Sequence, residues 1–315
     1  MKPDRFEQDL LDIPSRLHDL ADRLDGDDPW AALTSRAALL SGMGSSQYAA
    51  RTAAGWLRHS GAHVTQEIAS TDPGWPGGPG SSAVLISASG SSAETLDRSA
   101  RLGAGTQRVA LVNTVESPLA QLADAVVPMW AGPESGEVAC RSYRHTVALL
   151  LAIARPHQEI AATCRVAAER TSALLADTSW LDAVDDLLAP AETTHWIAPE
   201  SRIGSAMQSA LMMREVPRRP AVGCETGDWS HVDVYLTLTT DYRCVIFTGS
   251  RWDAQAADWL TKRRSAVFCV GEPLGVPGES VLAMPSDPFA RMLCEPIVAE
   301  LLALRWWRRN PIEVA

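Results

Sequence analysis

Gly42-Met43-Gly44-Ser45-Ser46 follows the apolar run Ala37-Ala38-Leu39-Leu40, and Ser87-Ala88-Ser89-Gly90-Ser91-Ser92 follows Ala83-Val84-Leu85-Ile86. Each stretch reads as a buried strand, a turn of glycine and serine, and a helix, over Tyr48–His59 and Glu94–Leu102 respectively. That order places hydroxyls and backbone N–H groups at a helix N-terminus, where the partial positive charge holds an anion without lysine. Either loop alone reads better as a turn with a helix cap. Two of them at strand ends, about 45 residues apart, point to one converging anion pocket.

Working outward, residues 5–24 space Leu10, Leu11, Ile13, Leu17, Leu20 and Leu24 as an amphipathic helical arm, with Pro14 in the first turn of its second helix. Strands alternate with helical stretches to about residue 155, interrupted by the Gly/Pro-rich loop Asp72–Ser82. A helical zone over His157–Leu188 leads into a second half that repeats the first. SAVLISASGSSAETLDRSARL matches YRCVIFTGSRWDAQAADWL by pattern, and AALLSGMGSSQYAARTAAGWLR matches THWIAPESRIGSAMQSALMMRE, at an offset of about 160 residues. The fold class is therefore α/β: two tandem units, each a parallel sheet flanked by helices, doubly wound and flavodoxin-like. The boundaries are an arm at 1–28, a first unit at 29–155, a linker at 156–190 and a second unit at 191–315. The second copy has Thr248-Gly249-Ser250-Arg251 and Ile203-Gly204-Ser205 where the first has serine-rich loops, which assigns the anion to the first copy.

Composition narrows the function. The 315 residues are 46% hydrophobic and 21% charged, ordinary globular values. A net charge of −10 without a basic stripe argues against nucleic acid, and Arg305-Trp306-Trp307-Arg308-Arg309 reads as a helix end charged to suit its dipole. Six scattered cysteines without a C-x-x-C pair read as reduced thiols, no apolar leader or long apolar run appears, and a cytoplasmic location without membrane contact is expected. Lys2 and Lys262 are the only lysines, so Schiff-base chemistry is poorly provided for. No ligand cluster for a metal and no P-loop lysine occur, and no cofactor is expected.

These motifs, with Glu67-Ile68-Ala69-Ser70, Ala131-Gly132-Pro133-Glu134, Arg214-Glu215 and His231 in the same order, resemble the SIS (sugar isomerase) phosphosugar-binding family over nearly the whole chain. The resemblance implies phosphate contacts from Ser45, Ser46, Ser87, Ser89 and Ser92, with the N–H groups of Gly44, Ser46 and Gly90 available beside them. It places Glu134 and Arg141 in a loop packing against the sugar, where an ordinary surface turn is the equal alternative. It makes Glu215, at the end of the nearly uncharged helix Gly204–Glu215, the general base between C1 and C2 of an open-chain sugar. Desolvation there would raise its pKa, whereas an isolated glutamate would pair with Arg214 or Arg218 at a solvated helix end. Sixteen residues separate Glu215 from His231, the family's spacing between its catalytic glutamate and its ring-opening histidine. His231 follows the turn-like stretch Gly223–Ser230 and precedes an alternating strand, Val232–Leu238, and the resemblance has it act across a homodimer interface.

Three departures stand against the family pattern: Val232-Asp233 replaces Gly-Pro after the histidine, Met212 replaces a lysine, and the chain ends RNPIEVA without the lysine tail that closes over substrate. Residue two is Lys2 rather than the cysteine of the family's glutaminase half, so no glutamine hydrolysis is expected. The leading reading is a phosphosugar aldose–ketose isomerase or an amine-releasing fructosamine-6-phosphate deglycase. The alternatives are a non-catalytic phosphosugar sensor, and a structural partner using the apolar arm and Trp306-Trp307.

Overall fold

The computed structural model describes residues 2–35 and 38–310. Ala37, which opens the first expected strand, and the end of the lysine-free tail at 311–315 lie outside them. Contacts divide the chain into two units: one of residues 15–134 and 139–165, the other of residues up to 14, 135–138 and from 166 on.

In chain order, α1 (Pro3–Leu11) belongs to the second unit and α2 (Ile13–Gly26) opens the first, with Pro14 in the first turn of α2 where its missing N–H is no loss. Then come β1 (Ala38–Gly42), α3 (Gly44–His59), β2 (Val64–Ile68), β3 (Ser82–Ile86), α4 (Ala93–Ala100), β4 (Gln107–Val112), α5 (Pro118–Leu122), β5 (Ala125–Pro128) and α6 (Arg141–Leu151). All pairings are parallel, in the order β2-β1-β3-β4-β5. β1 and β3 are buried along their whole length, which explains their continuous apolar runs: helices cover both faces of the sheet.

α7 (His157–Ala176) runs from the first unit into the second. It is followed by α8 (Trp180–Leu188), β6 (Thr194–Ala198), α9 (Ile203–Glu215), β7 (Ala221–Glu225), α10 (Thr226–Trp229), β8 (Arg243–Phe247), α11 (Asp253–Arg263), β9 (Ala266–Val270), β10 (Ser280–Leu282), α12 (Pro288–Cys294) and α13 (Ile297–Arg309). The second sheet, also parallel, runs β10-β9-β8-β6-β7. Read from its β7 edge this is the permutation of the first sheet, so the repeat seen in the sequence is a repeat of topology. α13 closes the unit: Trp306 Nε1 donates to Asp185 at 2.8 Å, and Arg308 pairs with Asp4 and Glu7 of α1. The basic helix end thus has acidic partners as well as a dipole to suit.

Two local expectations are corrected. Residues 232–238 form no strand; Asp233–Leu238 is a 3₁₀ helix. β6 already lies between β7 and β8, and the hydroxyls of Thr237 and Thr240 donate back to Val234 O and Leu236 O, closing short turns in place of a ladder. The stretch 223–230 is likewise not a turn: Gly223–Glu225 complete β7 and Thr226–Trp229 form α10.

All of α6 is buried in its unit, polar residues included. His145 bonds through Nδ1 to Met129 O at 2.7 Å. Burial holds its pKa down to about 4; the bond to Met129 opposes that shift, and Arg141, Arg16 and Arg144 add to it. Because the folded pKa lies below the unfolded one, the stability this contributes is present above about pH 6.5 and lost as pH falls toward about 4. Denaturant titrations at pH 7 and pH 4.5 are expected to differ by up to about 3 kcal/mol more for wild type than for His145→Gln.

Candidate functional site

In the sheet order β2-β1-β3-β4-β5 the chain leaves β1 toward one edge and β3 toward the other, so the crevice outside their carboxyl ends is a topological switch point, the usual ligand position in doubly wound folds. Both Gly/Ser loops lie there. Gly44, Ser45 and Ser46 are the first residues of α3, which begins one turn earlier than the sequence suggests. Gly42, level with Ile86 in the ladder, permits this: a Cβ on it would stand 2.8 Å from Ile86 O and from Ser46 Cβ. Among the described residues, the Ser45 and Ser46 hydroxyls and the N–H groups of Gly44 and Ser45 take no hydrogen-bond partner.

The second loop is more tied to itself. Ser87 Oγ accepts from Gly90 N at 3.1 Å, and Ser89 Oγ accepts from Ser91 N and Oγ at 3.3 and 3.0 Å, so each keeps its own proton to give. Ser92 caps α4, accepting from Thr95 N at 3.4 Å, while its proton goes to Glu94 at 2.9 Å. Gly90 sits at φ +63°, and a Cβ there would meet Ser117 Oγ at 2.0 Å. Of the N–H groups expected to be available, two are committed internally: Ser46 N to Met43 O, and Gly90 N to Ser87 O. Tight turns at the loop and helix start consume them.

Glu134 and Arg141 sit at the entry of α6. Glu134 Oε1 accepts from the backbone N of Cys140, Arg141 and Ser142 at 2.7, 2.6 and 3.1 Å, and Oε2 accepts from Ser142 Oγ at 2.5 Å. It is a remote N-terminal cap for that helix. Arg141 is buried and donates to Pro133 O, bracing the same loop. Sequence reasoning missed this cap because Glu134 lies outside the usual capping window. It also missed an open groove of about 1060 Å³ at the carboxyl ends of β4 and β5, lined by Asn113, Thr114 and Trp130 with Arg16, Asp19 and Arg23 of α2. The groove does not include the loop serines, but Asn113 N and Thr114 N both donate to Ala88 O.

Glu215 and His231 belong to the second unit. Glu215 is the half-buried last residue of α9, after Met212 and Met213, which are fully buried. His231 follows α10, exposed, with its N–H on Asp228 O at 2.9 Å, and Glu225 Oε2 caps α10 by accepting from Asp228 N at 2.8 Å.

The second switch point, between β6 and β8, is filled by side chains. Arg202 Nε reaches both oxygens of Glu295 at 3.1 and 3.2 Å, Ser205 Oγ donates to Glu295 at 2.5 Å, and Arg202 and Arg291 both donate to Thr248 O. Nothing in the sequence pairs Arg202 with Glu295, which lie far apart in the chain. Among the described residues no group of three or more His, Cys, Asp or Glu side chains is placed to hold a metal, and no helix is long and apolar enough to cross a membrane.

The architecture is that of a tandem doubly wound α/β protein, with uncommitted hydroxyls at one switch point and a buried ion pair at the other. No family model matches the chain. In sequence it is 26% identical over 238 residues to glutamine–fructose-6-phosphate aminotransferase (isomerizing) of Zymomonas mobilis, covering 70% of this chain and 39% of that enzyme. The corresponding enzyme of Rhizobium leguminosarum is 25% identical over 244 residues. The chain spans about two-fifths of the length of these curated relatives. In fold it superposes on the C-terminal domain of glucosamine-fructose-6-phosphate aminotransferase from Francisella tularensis with a TM-score of 0.80 at 16% identity, covering 98% of this chain and 97% of that one. Tagatose-6-phosphate ketose/aldose isomerase from Escherichia coli gives 0.80 at 18% identity, over 97% and 93% of the two chains. The SIS resemblance therefore holds in sequence relationship and in the tandem parallel fold.

Proposed function

We propose that the chain binds a sugar phosphate at the β1/β3 switch point and moves a proton between its C1 and C2, as a phosphosugar aldose–ketose isomerase or, on an amine-bearing ketose phosphate, as a deglycase. The observation that carries this reading is the convergence of two Gly/Ser loops on one switch point, with uncommitted hydroxyls on Ser45 and Ser46 and free N–H groups at the start of α3. Ser87 and Ser89 add donors, Ser92 joins when its proton leaves Glu94, and Gly44 and Gly90 set the loop shapes. Glu134 and Arg141 act by bracing the loop before α6.

In this reading Glu215 takes the proton from one carbon of the open-chain sugar and returns it to the other, while His231 passes a proton between ring oxygen and anomeric hydroxyl. A second proton passes from the hydroxyl oxygen on one of these carbons to the oxygen on the other, so isomerisation balances within the substrate. On an amine-bearing ketose phosphate the same shift gives an imine that takes up one water and releases the amine, and neither route needs an external oxidant or reductant. The family's shared sites suggest a homodimer; light scattering that finds only monomer would remove that part of the reading.

The test is proton NMR in deuterated water with fructose, glucose, glucosamine and fructosamine 6-phosphates, following loss of the C1 or C2 proton signal. Exchange is expected with at least one of them. Ser45→Ala/Ser46→Ala is expected to raise KM roughly 100-fold, two charge-assisted bonds at about 1.5 kcal/mol each. Binding without exchange for every sugar would reduce the protein to a phosphosugar sensor.

A further inference from the structure

The second switch point repeats the backbone plan of the first with a carboxylate at its centre. Ser205 is the third residue of α9 as Ser46 is of α3, and Thr248 follows β8 as Ser87 follows β3, both donating their backbone N to the adjacent strand. The Ser46 hydroxyl has no partner among the described residues, whereas that of Ser205 donates to Glu295. Arg202, Ser205, Arg291 and Glu295 are each at most 5% exposed. Both guanidinium groups border Gly249, where a Cβ would lie 3.4 Å from Arg202 and 3.6 Å from Arg291.

We infer that Glu295 is a resident anion, its carboxylate occupying the place in the second copy that the first copy leaves for phosphate, and that removing it opens a site for inorganic phosphate built from Ser205 and Arg202, while Arg291 stays bound to Pro285 O, Thr248 O and Glu272. The comparison with the first copy rests on the phosphosugar reading; the site itself rests on its own residues. A buried guanidinium needs acceptors. Thr248 O already takes a donor from each arginine, and Glu295 supplies the remaining charge and lone pairs for Arg202. Alanine at 295 removes a methylene and the carboxylate, close to the bulk of a phosphate ion, and leaves a recess with the Arg202 guanidinium and a serine hydroxyl at a helix N-terminus. In the wild type this recess is closed, so one sugar phosphate binds per chain.

The experiment uses the full chain carrying Ser45→Ala/Ser46→Ala, which silences the first copy. Thermal unfolding is followed in potassium phosphate and in potassium chloride at equal ionic strength, with calorimetric titration of inorganic phosphate. Adding Glu295→Ala is expected to lower Tm in chloride, to regain most of that loss in phosphate, and to produce a phosphate isotherm that a further Arg202→Met abolishes. Equal loss in both salts, failure to fold in both, or a phosphate response that survives Arg202→Met overturns the inference. Glu295→Gln keeps the recess filled and is expected not to respond; a response matching that of alanine also overturns it. Sugar-phosphate binding by Glu295→Ala with intact Ser45 and Ser46 is read separately, so a failure of the first-copy reading is distinguishable.

Discussion

Glu215→Gln is expected to lower hydrogen exchange at C1 and C2 of the reacting sugar phosphate by roughly 10²–10⁴-fold, the usual contribution of a positioned general base. The amide keeps the size and planarity of the carboxylate and removes its ability to take a proton, so the sugar phosphate is expected to bind with its Kd unchanged. Proton exchange followed by NMR reads the first quantity and calorimetry the second. Position favours this residue: it ends α9 after the buried Ala210, Met212 and Met213, and the neighbouring Arg214 points to an exposed surface. A glutamate held only to pair at a helix end would leave exchange intact when replaced, and that result would remove Glu215 from the mechanism. Loss of binding together with exchange would assign it to substrate anchoring instead.

The sheet was legible because parallel strands covered on both faces leave continuous apolar runs, and Gly/Ser turns mark where each ends. Ala83–Ile86 and Cys244–Phe247 are of this kind, and the second copy could be aligned on them. The 3₁₀ helix Asp233–Leu238 was not legible: Val232, Val234, Leu236 and Leu238 alternate as a strand would, yet only Val234 is buried, and β7 keeps β6 as its one neighbour in the sheet. Alternation reports a possible strand, while pairing depends on a neighbour that sequence does not show. The serine loops were legible as residue types but not in their internal bonding. Whether Gly90 N faces a ligand or Ser87 O is decided by a positive φ. Glu134 and Glu295 were illegible as a cap and a buried counter-ion for a related reason. Each acts on groups brought to it by the tertiary fold, at sequence separations no local rule covers.

Arg202→Met is expected to destabilise the protein by about 3–5 kcal/mol, the cost of leaving one member of a buried ion pair uncompensated. The Arg202 side chain is 4% exposed and that of Glu295 0%, so water cannot replace the lost guanidinium. Thr248 O also loses one of its two arginine donors, while Ser205 alone remains on the carboxylate. Arg202→Met/Glu295→Met removes both charges and fills the space with apolar atoms, and is expected to recover most of the loss, since buried pairs replaced whole are often neutral. Guanidinium denaturation of the two single variants and the double variant forms a cycle whose coupling reads the pair directly. A single variant within about 1 kcal/mol of wild type would show that the carboxylate is satisfied without Arg202. The asymmetry between the copies then has a physical meaning. At the β6/β8 switch point a carboxylate and an arginine satisfy each other, so that loss of either one alone is costly. At the β1/β3 switch point the equivalent serine, Ser46, is half-exposed and takes no partner among the described residues, so no carboxylate of the chain stands where Glu295 stands in the second copy.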